Sequence, residues 1–158
     1  MREDPDVVMV WEMRDPETIK AAITLAETWH LVFSTLHTND SVQTIDRIVD
    51  VFPSNQQTQM RMQLSQSLVW VVSQRLLPRA DKDGRIAARE IMLSNDAVKN
   101  LIISWKTHQL YSVLEVSQKS WMILMDKYLL ALYKKWVISK EILHSYSRDK
   151  DSIDMMID

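Results

Sequence analysis

Glu12 and His37 are the two residues of this chain whose types and positions fit cooperative chemistry. Each falls just beyond a short apolar run: Glu12 follows Val7-Val8-Met9-Val10, and His37 follows Leu31-Val32-Phe33. Continuous apolar runs of this length read as strands covered on both faces. Between them, Asp15-Pro16-Glu17 reads as a helix start, with aspartate at the N-cap, proline at the first helical position and an acid in the first turn. That helix extends to about Thr28 and buries Ile19, Ala22, Ile23 and Ala26. Strand, helix and strand in this order form a βαβ unit, whose strands run parallel with a right-handed crossover. Ligands of open parallel sheets bind outside the carboxyl ends of the strands, and neighbouring strands lie about 4.8 Å apart. The pattern therefore puts a carboxylate and an imidazole on one edge, within reach of one ligand. There an acid orients and activates water, and a histidine senses or stabilises a phosphate. The same spacing also suits a plainer arrangement, in which Glu12 caps the next turn and His37 bonds to the loop backbone.

Other chemistry is scarce. His30, at the start of its strand, reads as a structural hydrogen-bonding residue. It makes a poor metal pair with His37, because seven extended residues span roughly 20 Å or more. His108 and His144 have no partner visible in the sequence and read as surface residues. Cysteine is absent, which rules out disulfides and thiolate metal sites and fits a cytosolic chain. A net charge of −2 with scattered basic residues gives no reason to expect nucleic acid. No apolar run approaches the ~18 residues that span a bilayer, and no signal peptide opens the chain. The one basic pair, Lys134-Lys135, reads as a solvated helix end matched to the helix dipole.

Beyond the βαβ unit, Val42, Ile45, Ile48 and Val49 mark one face of a helix that ends at Pro53. A Gln- and Met-rich helix follows over 56–68. Strands over 69–77 and 85–93 are joined by a turn at Asp81-Lys82-Asp83-Gly84. After Ser94-Asn95 the pattern is helical over 96–103, 107–116, 122–135 and 139–146, with a polar tail from Arg148. The expected architecture is α/β, with residues 1–93 as one domain and 94–158 as a helical carboxy-terminal subdomain.

Glycine and tryptophan are present in inverted proportion. At about 7% usage a chain of this length carries roughly 11 glycines, whereas this one has Gly84 alone beside six tryptophans. Trp29 and Trp136 stand at helix ends, where a left-handed cap residue is wanted and a Cβ is a steric burden. Both positions read as sites built for glycine.

At these residues a family resemblance emerges. Arg2-Glu3-Asp4-Pro5-Asp6 through Glu12-Met13-Arg14-Asp15 resembles the Walker B region of type IV pilus retraction ATPases, in which a REDPD stretch and an apolar run precede GEMRD. His30 through Asn39 resembles their His box. Asp46-Arg47-Ile48-Val49-Asp50-Val51-Phe52-Pro53 is similar to the DRIIDVFP stretch favoured by retraction over assembly motors, and Ala97-Val98-Lys99-Asn100-Leu101-Ile102 to AIRNLIRE. The similarity runs along nearly the whole chain. It implies a RecA-like P-loop NTPase core of the type II/IV secretion ATPase superfamily, working as a homohexamer with ATP and Mg2+. By this resemblance Glu12 positions the attacking water near magnesium, contacting the metal through water. His37 faces the terminal phosphate, His30 helps to maintain the nucleotide site, and Arg14 and Arg2 belong to its surroundings through inter-subunit or structural salt bridges. The implied role is pilus retraction in twitching motility, at the inner face of the cytoplasmic membrane, against an inner-membrane platform protein.

Two departures limit the transfer. No GxxxxGK[ST] loop occurs in the chain, so the phosphate cradle and its lysine are missing and the chain alone is expected to be inactive. It corresponds to the second half of such a motor, beginning at Walker B. The carboxy-terminal motif also ends Ile103-Ser104 where the family has Arg-Glu. An assembly or type II secretion ATPase, and a stand-alone non-catalytic interaction module, are the competing readings. Against the family pattern, Trp11, Trp29, Trp70, Trp105, Trp121 and Trp136 all fall on expected glycines. The economical explanation is a lineage that reads UGA as glycine, with the codons rendered here as tryptophan.

Overall fold

A computed structural model of the chain describes residues 5–117 and 121–157. The elements run β1 (Val7–Val10), α1 (Pro16–Glu27), β2 (Leu31–Ser34), α2 (Ser41–Asp50), α3 (Ser54–Ser67), β3 (Trp70–Pro78), β4 (Arg85–Leu93), α4 (Asp96–Ile103), a 3₁₀ turn (Thr107–Gln109), α5 (Leu110–Val116), α6 (Met125–Lys134), α7 (Lys140–Tyr146) and α8 (Lys150–Ile157). The chain is α/β with a helical carboxy-terminal part, as its pattern implied. It packs as two compact units, one of residues 1–38, 42–70 and 94–110, the other of 39–41, 71–93 and 111–158. These cut across the expected division after residue 93, because α4 packs with the first unit and the β3–β4 hairpin largely with the second.

In the first unit β1 and β2 pair in parallel, Val7 opposite Leu31 and Val10 opposite Ser34. Helix α1 begins as its residues dictate: the Asp15 carboxylate accepts from the Thr18 N–H at 2.8 Å and Pro16 takes the first turn. Its buried residues Ile19, Ala22 and Ile23 join a core with Ile45, Val49, Met60, Leu64, Val98 and Ile102. Both strands were expected to be covered on two faces, yet Val7 and Met9 are each 55% exposed, with Leu31 and Phe33 also open. Helix α1 shields one face only, so the continuous apolar run is satisfied on one side.

The second unit is organised by the hairpin and α6–α8, whose core holds Leu77, Ala88, Met125, Leu129, Leu132, Ile138, Leu143 and Ile153. The expected polar tail is instead helix α8. The Asp149 carboxylate accepts from the Ser152 N–H at 3.0 Å, and Ile153 is buried in the cluster. His144, expected to be partnerless, lies 3.0 Å from Asp154 on that helix.

Four of the six tryptophans adopt left-handed backbone: Trp29 (φ 72°), Trp105 (62°), Trp121 (65°) and Trp136 (60°). For Trp105 and Trp136 the surrounding bonds define the helix-ending motif that favours glycine. Lys106 N–H reaches Leu101 O at 2.9 Å and Trp105 N–H reaches Ile102 O at 3.5 Å; Val137 N–H reaches Leu132 O at 3.0 Å and Trp136 N–H reaches Tyr133 O at 2.8 Å. At the end of α1, His30 N–H spans back over Trp29 to Leu25 O at 3.4 Å. All six side chains are exposed, and Trp29 is 98% so. Trp11 and Trp70 have no positive φ, so the backbone argument does not extend to them.

One buried carboxylate braces the second unit. Glu90, 1% exposed, accepts from the backbone N–H of Ser41 at 2.8 Å and of Met125, the first residue of α6, at 3.4 Å. Burial pushes its carboxyl above the usual range, against the pull of the Ser41 and Met125 amides. The native state thus holds this proton to higher pH than the unfolded chain. Its contribution is complete below the unfolded value near 4.5 and is lost as pH rises through the native value. Glu90→Ala orphans both amides and is expected to cost roughly 2–4 kcal/mol. Denaturant unfolding measures that loss, and the same series repeated across pH should lose the slope that Glu90 supplies.

Candidate active site at the carboxyl edge of the parallel strands

Glu12 and His37 meet. The Glu12 Oε1 lies 3.1 Å from His37 Nε2, across the carboxyl ends of β1 and β2. The loops after both strands are stitched together by Ser34 and Thr35. Ser34 Oγ donates to Val10 O at 2.9 Å, Glu12 N–H donates to Thr35 Oγ1 at 3.2 Å, and Met13 N–H donates to Thr35 O at 3.1 Å. These bonds carry strand-like pairing past the strands and fix the two side chains on one edge. The plainer arrangement, a cap and a loop bond, is not what the side chains adopt.

Arg14 joins them, with its Nη2 bonded to Glu12 Oε2. The carboxylate is 15% exposed, covered by Arg14 and His37, which are themselves 74% and 86% exposed. The Arg14 hydrogen bond and charge, aided by the charge of His37, hold the Glu12 carboxyl below its ordinary value of 4.5. Glu12 is therefore ionised at neutral pH and suited to accept a hydrogen bond from water.

Glu12 itself has φ 57°. A non-glycine residue in the left-handed region carries a conformational cost, of the kind found where a site dictates geometry. Trp11, immediately before it, is 81% exposed.

His30 sits at the amino end of β2, the opposite end of the strand from His37. Its Nδ1 lies 3.1 Å from Thr28 Oγ1 and 3.2 Å from Leu25 O, so it ties down the turn that launches β2. Arg2 lies outside the described residues. Thr35 and Ser34 were not singled out from the sequence; a hydroxyl pair closing an apolar strand just before a candidate histidine was the available signal.

The donor set bears on magnesium and nucleotide. Magnesium is commonly held by one or two carboxylates with substrate phosphates and water completing its shell. Glu12 supplies one such carboxylate, and among the described residues no group of three or more potential ligands exists. The residues present fit the water-orienting side of a nucleotide site, and no GxxxxGK[ST] phosphate loop occurs in the sequence. No helix among the described residues is long and apolar enough to cross a membrane.

The profile of the type II/IV secretion system protein family matches residues 1–122. The chain is 48% identical over 153 residues to a twitching motility protein of Neisseria gonorrhoeae, covering 97% of this chain and 41% of that protein. It is also 48% identical over 141 residues to the type IV pilus retraction ATPase PilT of Pseudomonas aeruginosa, covering 89% of this chain and 41% of that one. A crystal structure of the pilus retraction motor PilT with bound ADP superposes with a TM-score of 0.87 at 45% identity, covering 98% of this chain and 43% of the other. The chain thus spans about two-fifths of the length of these relatives. The family profile covers well over half of the chain, and the chain belongs to the type II/IV secretion system protein family.

Proposed function

We propose that this chain is part of an ATP-hydrolysing hexameric motor that powers type IV pilus retraction. The observation that carries the reading is the Glu12–His37 pair, 3.1 Å apart on the carboxyl edge of two parallel strands. Glu12 is the group that orients and deprotonates the attacking water, its charge kept by Arg14. His37, on the same edge, is placed to meet the phosphate being transferred. Thr35 holds Glu12 in position through its backbone N–H. His30 acts at a distance, fixing the start of the strand that ends at His37. ATP, when bound, supplies the phosphoryl group and Mg2+ its charge neutralisation. The motor works on the cytoplasmic face of the membrane against the pilus platform protein. Retraction rather than assembly is supported by a PilT identity of 48% over most of the chain.

Phosphate release tests the reading. The chain by itself should show no turnover above background. Joined genetically to the phosphate-loop-bearing portion of the Pseudomonas relative, it should hydrolyse ATP at the ~1–100 s⁻¹ scale of phosphoryl-transfer enzymes or below. Robust turnover by the chain alone, or none by the joined protein, contradicts it.

A further inference from the structure

His37 stands in the short segment that leads from β2 into α2. Its side chain is 86% exposed, so packing does not hold the imidazole in place and the backbone beneath it has to. That backbone is tied down at several points. Next to His37, Thr38 Oγ1 lies 2.7 Å from Thr44 Oγ1 in the first turn of α2. Farther on, the anchors are residues remote in sequence. Ser41, fully buried where α2 begins, donates its backbone N–H to the Glu90 carboxylate at 2.8 Å. A helix start leaves such a donor without an intrahelical partner, and here a buried acid supplies one. Asp40, beside it, accepts a hydrogen bond from the Tyr111 hydroxyl. Burial, then the charge and hydrogen bond of Asp40, push that hydroxyl up to about 12, so at neutral pH it keeps its proton and remains the donor. The Arg148 guanidinium lies 4.0 Å from the centre of the Tyr111 ring and steadies it.

Planar peptides leave a segment this short few soft dihedrals, so a displacement at residues 40 and 41 is felt at residue 37. We propose that Glu90 and Tyr111 are positioning residues for His37: by holding Ser41 and Asp40 they set the backbone that keeps the imidazole 3.1 Å from Glu12. Both act through the chain and neither meets the reacting atoms. Glu90 therefore has a task beyond stability. It aims the start of α2, and with it the exposed histidine a few residues upstream. The proposal rests on the motor reading for what His37 does, and on these hydrogen bonds for what places it.

Imidazole NMR of this chain reads the placement directly, since its four histidines give four reporters. Tyr111→Phe removes only the hydroxyl, and Glu90→Gln keeps the shape but offers one acceptor oxygen to two amides. In both variants the His37 signals are expected to move while those of His30, His108 and His144 stay in place. In the joined motor, each variant should lower kcat about three- to tenfold with KM for ATP within about twofold, the mark of a misplaced catalytic group. In a His37→Ala background the same substitutions should cost nothing further. Unmoved His37 signals, or an equal loss of turnover with and without His37, overturns the proposal. Movement of all four signals in Tyr111→Phe reports general loosening and overturns it too; should Glu90→Gln unfold the chain, Tyr111→Phe decides. Selective movement of His37 in a chain whose joined form shows no turnover upholds the positioning and counts against the motor reading. Turnover by the joined protein with His37 unmoved does the reverse.

Discussion

Changing Trp29, Trp105, Trp121 and Trp136 together to glycine is expected to raise the unfolding midpoint by roughly 4–8 °C. Each of these residues holds a φ between 60° and 72°. A side chain in the left-handed region costs about 1–2 kcal/mol, and glycine's extra freedom in the unfolded chain returns roughly 0.5–1 kcal/mol of that. A net gain near 0.5 kcal/mol per site remains, about 2 kcal/mol for four. Trp105 is the exception that trims the sum, because the Arg61 guanidinium stacks 4.1 Å from its ring and loses that cover. The matched alanine variant retains the Cβ and should gain little, which separates backbone relief from the removal of exposed indoles. An alanine set as stabilising as the glycine set would remove the conformational explanation. In the organism, the same argument expects UGA at the codons of Trp29, Trp105, Trp121 and Trp136 and glycine there in the native peptides; UGG codons would sink it.

Glu12→Gln in the joined motor should lower turnover about 10²–10⁴-fold, with little effect on ATP affinity. Glutamine retains the shape and can still meet Arg14 through its amide oxygen, but it cannot take a proton from water. The acid limb of the pH profile offers a second check. Arg14 holds the Glu12 carboxyl below 4.5, so activity limited by Glu12 persists as pH falls to that value and is lost below it. Arg14→Gln removes the principal cause of the shift, and the acid limb should move upward toward 4.5. An unmoved limb would assign that limb to another group. Steady-state phosphate release at a series of pH values gives both results.

Local chemistry made much of this readable in advance. Asp15 followed by proline starts α1 because a carboxylate cap and a pre-set φ act within one turn. Glu12 and His37 could be placed together because parallel strands in a βαβ unit bring their carboxyl ends side by side. Trp29 and Trp136 announced left-handed helix ends because the stop of a helical pattern is itself local. What escaped depended on backbone geometry, on neighbours distant in sequence or on signals too weak to form a pattern. The grip of Arg14 on Glu12 needs a loop bent by a positive φ that no periodicity reveals. Glu90 reads as an ordinary strand acid until the amides of Ser41 and Met125 are seen to enclose it. Helix α8 looked like solvated tail because a single Ile153 and one Asp149 cap decide it, too little to register as an apolar stripe. The open face of β1 and β2 escaped for the opposite reason: the sequence describes strands meant to be covered twice, whatever part of the partner layer accompanies them.

The positive φ of Glu12 carries a consequence for how this position evolves and how it responds to engineering. Its backbone favours glycine or asparagine, while the proposed water activation requires a carboxylate, so the two demands oppose each other at a single residue. Searches for thermostable variants will therefore be drawn to position 12 and will recover folded, inert proteins from it. On the proposed function, a stabilising substitution at this position is a sign that the carboxylate assigned to water activation has been lost.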